Sequence, residues 1–289
     1  MSQPIASRRQ SYWDLRAAGN FIGGGSGAGL VVMAALAALA GAPFRLALAL
    51  GLAGVLLGLS LVWLEIGKPW RALNVFFHPR TSWMTREGIV ASLLFPAGLA
   101  ASLMASPAAT SLAALLAGGF LYCQARILRA ARGIPAWRQA EIVPLILATG
   151  LAEGSGLYLL VGTATTAAIG CALLAALARE AAWRAYRAGL AGTQLAAPSL
   201  AVFDSPAARG ARAAQVAAVA LMVLALVAAR LAPEVSASLG VAAGALAAGG
   251  GWGLKALLIT RAAFTRPVAI PAMPMRGSSD ARAWRTSRS

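Results

Sequence analysis

Asn20 to Glu65 reads NFIGGGSGAGLVVMAALAALAGAPFRLALALGLAGVLLGLSLVWLE. Between its ends the stretch carries one charge, Arg45. It divides at Gly41 to Phe44 into two apolar runs of about 20 residues each, and an α-helix rising about 1.5 Å per residue needs roughly that many to cross a hydrocarbon core. Two membrane spans joined by a tight turn follow.

Working outward, the same pattern recurs. Eight spans are expected, at about 20–40, 45–65, 88–105, 108–127, 141–160, 162–178, 214–231 and 235–258, with only Gly162-Thr163 separating the fifth from the sixth. Apolar residues make up 59% of the chain and charged residues 12%, with mean hydropathy +0.72. Soluble domains carry about 25% charged residues, so the fold class is all-α, a polytopic membrane protein. The organisation is a tail (1–18), a membrane domain (19–259) and a basic C-terminal tail (260–289). Within the membrane domain lie an interfacial loop (66–87) and a long connection (179–213), whose first half, REAAWRAYRAGL, reads as an amphipathic helix with Trp183 and Tyr186 at the lipid boundary. Gly25-Ser26-Gly27 in the first span is echoed by Gly154-Ser155-Gly156 in the fifth, which predicts two four-helix units in the same orientation.

A net charge of +16 raises the question of nucleic acid. The placement of the charge answers it. All Lys and Arg except Arg45 and Arg230 are assigned to the two tails and the connections after spans two, four and six. That is the positive-inside pattern, so both termini are expected in the cytoplasm and no nucleic-acid partner is expected. Ser7-Arg8-Arg9-Gln10 is similar to a twin-arginine signal, but no small-residue cleavage site follows, and it is read as retained topology charge.

Cys123 and Cys171 form no CxxC pair, and His78 is the only histidine. No iron-sulfur cluster or bis-histidine haem bound by this chain is expected. GGGSGAG, Gly23 to Gly29, lacks the GK[ST] ending of a phosphate loop. Its spacing reads as close helix packing through the pairs Gly23/Gly27 and Gly25/Gly29.

Carboxylates inside a membrane are functional candidates because each costs at least about 2.5 kcal/mol at the centre. Glu153 lies mid-span, roughly 18 Å from the start of its helix. It reads equally as a proton-path residue or as a buried hydrogen bond to another helix. Glu65 ends the second span, where the helix dipole disfavours an acid, with Lys68, Arg71, Arg16 and Asn20 nearby to compensate. Glu87 opens the third span, with Ser82 or Thr85 as the expected N-cap. Between them Trp70, Phe76, Phe77 and Trp83 alternate with cations. They form either an interfacial belt or the walls of a pocket at the membrane surface.

Gly67-x-Pro69-x-Arg71-Ala72-x-Asn74, then Ser82-x-Met84-x-Arg86-Glu87, together with the opening WDLRAAGNFIGGG, resembles the NrfD-like or DmsC-like membrane anchors of DMSO reductase and its relatives. The specific residues lie within about 12–30 and 65–88. The resemblance implies a haem-free anchor in a bacterial cytoplasmic membrane that reacts with menaquinone or ubiquinone. It also implies an iron-sulfur partner subunit with four clusters, and through it a molybdopterin catalytic subunit, for sulfite oxidation or DMSO-type reduction. In that setting Glu65 and Glu87 are proton carriers; Asn20, Arg71, Trp70, His78 and Arg86 bind quinone; and Glu153 belongs to a proton path. Many relatives place His where this chain has Glu65. The alternatives are a proton-coupled transporter using Glu153 and Glu65 and a purely structural anchor.

Overall fold

The computed structural model describes residues 6–64 and 69–267. Among them the chain is helical, without strands beyond one isolated bridge. Eight helices are long and apolar enough to cross a membrane: α1 (Leu15–Leu39), α2 (Arg45–Trp63), α3 (Trp83–Met104), α4 (Pro107–Ala130), α5 (Ile142–Val161), α6 (Thr166–Ala191), α7 (Pro206–Ala228) and α8 (Pro233–Thr260). Short helices at Pro69–Phe77, Pro135–Arg138, Gln194–Ala196 and Ala197–Phe203 fill the connections.

Local chemistry sets the helix starts. Asp14, Ser82, Ser106, Thr165 and Ser205 each accept a backbone N–H from the first turn, which satisfies a donor the helix leaves open. Proline opens α4, α7 and α8, where its missing N–H costs nothing.

Helix α1 lies at the centre, packed on α2, α4, α5 and α8. The GGGSGAG run makes this possible by presenting bare backbone on several sides. A Cβ at Gly27 would sit 2.5 Å from Gly51 O and 2.7 Å from Val55 N of α2. Gly29 and Gly154 meet backbone to backbone, locking α1 to α5. The small-residue reading of the motif thus describes how α1 is held on two sides. In turn α5 packs on α6 and α8, and α7 on α8, while α2, α3 and α7 turn Leu and Val side chains outward.

One end of the bundle gathers the two termini. Gln10 N donates to Ala263 O (2.9 Å) and Thr265 N to Arg8 O (2.8 Å). The α4–α5 connection joins them through Arg266 N to Gly133 O (3.0 Å) and Trp137 Nε1 to Leu258 O (3.2 Å). Ser199 Oγ adds the α6–α7 connection by donating to Ala262 O (2.6 Å).

Two boundaries differ from the sequence reading. Helix α3 begins at Trp83, inside the expected 66–87 loop, because Ser82 caps it. Helix α6 runs unbroken to Ala191 and α7 starts at Pro206, so the expected 179–213 connection shrinks to the short helices between them. The physical reason lies in Arg179 and Glu180. Both looked like the polar end of a span, yet Arg179 is buried and Glu180 is held by Arg212 of α7. The lipid-boundary reading of Trp183 and Tyr186 is likewise corrected. Both are buried against Phe203 at ring distances of 5.1 and 6.1 Å, and Tyr186 Oη donates to Ala136 O (3.1 Å).

Candidate functional site

Near the termini-bearing end, α1, α2, α3 and the Pro69–Phe77 segment enclose a cavity of about 600 Å³. Its walls are chiefly apolar and aromatic, including Trp13, Phe21, Trp63 and Phe76. Trp13 is fixed by ring contacts with Trp137 (4.8 Å) and Phe21 (6.0 Å). The principal polar groups on the wall are Asn20 from α1 and Glu87 from α3.

Both are almost fully buried, at 5% and 6% exposure. The Ser82 cap places Glu87 in the second turn of α3, where it faces inward instead of sitting at the helix mouth. The Asn20 and Gln124 amides flank its carboxyl. Gln124 Nε2 donates to Asn20 O (3.1 Å), so α4 supports the same corner. Glu87 Oε1, Asn20 Oδ1 and Gln124 Oε1 have no hydrogen-bond partner among the described residues. Buried polar atoms are nearly always paired, and each exception calls for a reason. Here two of the three line a cavity large enough for a ligand.

The other expected site residues divide. Arg86 is tied to the loop, donating through Nε to Pro79 O (2.8 Å) and through Nη2 to Arg80 O (2.9 Å), with its guanidinium 4.1 Å from the Trp83 ring centre. It shapes the approach to α3 and does not line the cavity. Trp70 and His78 are exposed and also lie off its wall, because the Pro69–Phe77 segment turns Val75 and Phe76 inward instead. Glu65 lies outside the described residues, as does the side chain of Arg71.

Glu153 belongs to a second buried constellation. Its Oε2 accepts from Ser26 Oγ (2.8 Å) and Lys255 Nζ (2.5 Å). Lys255 Nζ also donates to Phe21 O (2.8 Å), and Trp252 Nε1 donates to Ser26 Oγ (2.8 Å). Both members of the ion pair are essentially inaccessible. Lys255 had been counted with the topology charges; it is an interior partner. Its position five residues before the end of α8 reads in sequence as a snorkelling lysine, and only the approach of α5 reveals its role. Gln124 was missed as well. Its signal was a lone amide in the apolar run GGFLYCQARIL.

The two constellations are neighbours. A Cβ at Gly25 would lie 2.5 Å from Lys255 Nζ and 3.4 Å from Gln124 Oε1, so these polar atoms face each other across a residue without a side chain. The Glu87 corner and the Glu153–Lys255 pair therefore form one polar seam through the centre of α1. Comparison of the chain with protein-family models and with curated proteins finds no match.

Proposed function

We propose that the chain is a quinone-reactive membrane anchor that passes electrons between the quinone pool and an iron-sulfur subunit. The observation that carries this reading is the Glu87–Asn20 corner: a carboxyl and an amide with oxygens unpartnered among the described residues, at the wall of a largely apolar cavity. The residues that gave the family resemblance support it, since Asn20 comes from the opening motif and Met84 and Glu87 from the motif at the start of α3, and all three line one cavity. The reduced, hydroquinone form fits this wall chemically, because its ring and tail are apolar and its hydroxyls can donate to acceptor oxygens such as Glu87 Oε1 and Asn20 Oδ1.

Bound quinone supplies two-electron, two-proton redox chemistry. Glu87 holds the exchangeable proton at its free carboxyl oxygen, and the Asn20 amide orients a ring oxygen by hydrogen bonding. Trp13, Phe21 and Phe76 exclude water from the ring. Glu153 extends the proton path inward along the seam. The charge placement, with Arg126 and Arg129 in the last turns of α4 and Arg132 and Arg138 following it, supports a cytoplasmic position for this end of the bundle, and the family resemblance adds the bacterial inner membrane. The iron-sulfur subunit docks on that end and carries the molybdopterin subunit. A transporter reading draws less support, because the spanning helices run without the broken segments such sites use.

A fluorescent hydroxyquinoline N-oxide, a quinol analogue, tests the reading on the purified full chain. Saturable binding is expected, weakened roughly tenfold or more by Glu87→Gln, the scale of one hydrogen bond to a charged group. In the assembled complex the same variant should impair quinone-linked turnover while reaction with an artificial soluble acceptor continues. Equal loss with both acceptors, or unchanged analogue binding, would refute the role of Glu87. For orientation, a periplasmic reporter fused at Ser289 is expected to be inactive.

A further inference from the structure

A second, much smaller cavity lies between α5, α6, α7 and α8, about 10 Å³ in volume and lined by Arg179, Glu180, Gln215 and small side chains such as Ala152 and Ala247. Arg179 is 3% exposed and Gln215 4%. Among the described residues Arg179 Nε and Nη2 have no hydrogen-bond partner, and neither does either amide atom of Gln215. Nε and Nη2 form one edge of the guanidinium, whose two N–H bonds run parallel and suit a single acceptor.

The charge count sharpens the point. Arg179, Arg212 and Lys255 stand in this cluster against Glu153 and Glu180. Glu180 is taken by Arg212, which grips both of its oxygens, and by Arg184 at 3.1 Å. Glu153 is taken by Lys255 and Ser26 through Oε2. An arginine does not shed its proton in a protein, and a buried charge needs a counter-charge. With these five groups ionised one positive charge is in excess; Glu153 keeps an unpartnered Oε1, and the free donor edge is that of Arg179.

We propose that this cavity is a binding site for one monovalent anion of halide size, held by the Nε/Nη2 edge of Arg179 and the Gln215 amide N–H. The cavity has room for about one water-sized guest, so a halide seats there with a small outward shift of the lining side chains, and sulfate or a carboxylate ligand is shut out. Gly250 leaves space for the Gln215 side chain beside α8, since a Cβ there would lie 2.7 Å from Gln215 Cγ. This site stands apart from the Glu87 cavity and does not depend on the quinone reading.

The test uses the purified full chain in mild detergent, with thermal unfolding followed in chloride or bromide against gluconate or sulfate at matched ionic strength. Chloride and bromide are expected to raise the midpoint saturably, by roughly 5 °C at about a hundredfold excess over Kd. Arg179→Met and Gln215→Leu should each abolish the halide-specific part. Crystals grown in bromide should show an anomalous peak against Arg179 Nε and Nη2. Equal midpoints in halide and gluconate, or no bromide peak at Arg179, would overturn the proposal and leave the cavity to water. A halide shift that survives Gln215→Leu and Arg179→Met would overturn it too. Should Arg179→Met fail to fold, Gln215→Leu and the wild-type bromide crystals decide.

Discussion

Removing one partner from the Glu153–Lys255 pair is expected to be among the most damaging single changes in this chain. The side chains are 0% and 1% exposed, so neither charge is relieved by solvent. Lys255→Met keeps the length of the side chain and removes the charge, leaving Glu153 with the Ser26 hydroxyl. Glu153→Gln preserves shape and the Ser26 contact but leaves Lys255 with the Phe21 carbonyl. Breaking a buried pair in this way costs roughly 3–5 kcal/mol, because an uncompensated charge stays behind. The double variant Glu153→Gln/Lys255→Met removes both charges, and replacing a whole buried pair is often close to neutral. It should therefore be more stable than either single variant. Reversible unfolding in mixed micelles, run as a double-mutant cycle, measures the coupling directly. Single losses below about 1 kcal/mol, or a double variant whose loss equals the sum of the singles, would refute the claim that these residues act as one unit.

Two further outcomes follow from the packing and the caps. A Cβ at Gly154 falls on the Gly29 carbonyl carbon and Leu30 N, which are backbone and cannot swing away; Gly154→Val should cost at least about 1–3 kcal/mol by forcing α1 from α5. Gly170→Ala, whose Cβ meets nothing within 4 Å, is the control and should be neutral or slightly stabilising in the same unfolding assay. At the start of α1, the Arg16 side chain and then its backbone N–H hold the Asp14 carboxyl below its ordinary value of 3.8. A depressed carboxyl pKa means the cap is intact at neutral pH and fails as pH falls below about 4. Hydrogen exchange at the first-turn amides of α1 should accelerate over that range and should do so at neutral pH in Asp14→Ala.

The sequence by itself determined the eight apolar helices, because span length is set by bilayer thickness and needs no tertiary partner. It also narrowed the cap of α3 to Ser82 or Thr85, read the GGGSGAG run as close packing and marked Glu153 as a costly intramembrane acid, since each rests on local chemistry. Only the tertiary structure decided what that acid meets. Lys255 and Glu153 are 102 residues apart, and Ser26 and Glu153 are 127 apart. No periodicity within one helix encodes such a meeting. The same limit explains α6, which sequence ended near residue 178 at its first charged pair. Arg179 stays inside the bundle where the carboxylates of Glu153 and Glu180 offset its charge and the small cavity borders it. It bears on the 66–87 loop as well: the sequence sets Arg71 and Glu87 ahead of His78 but does not say which side chains turn inward. Burial singled out Glu87, with its cap turning it inward, while His78 and Trp70 were left exposed.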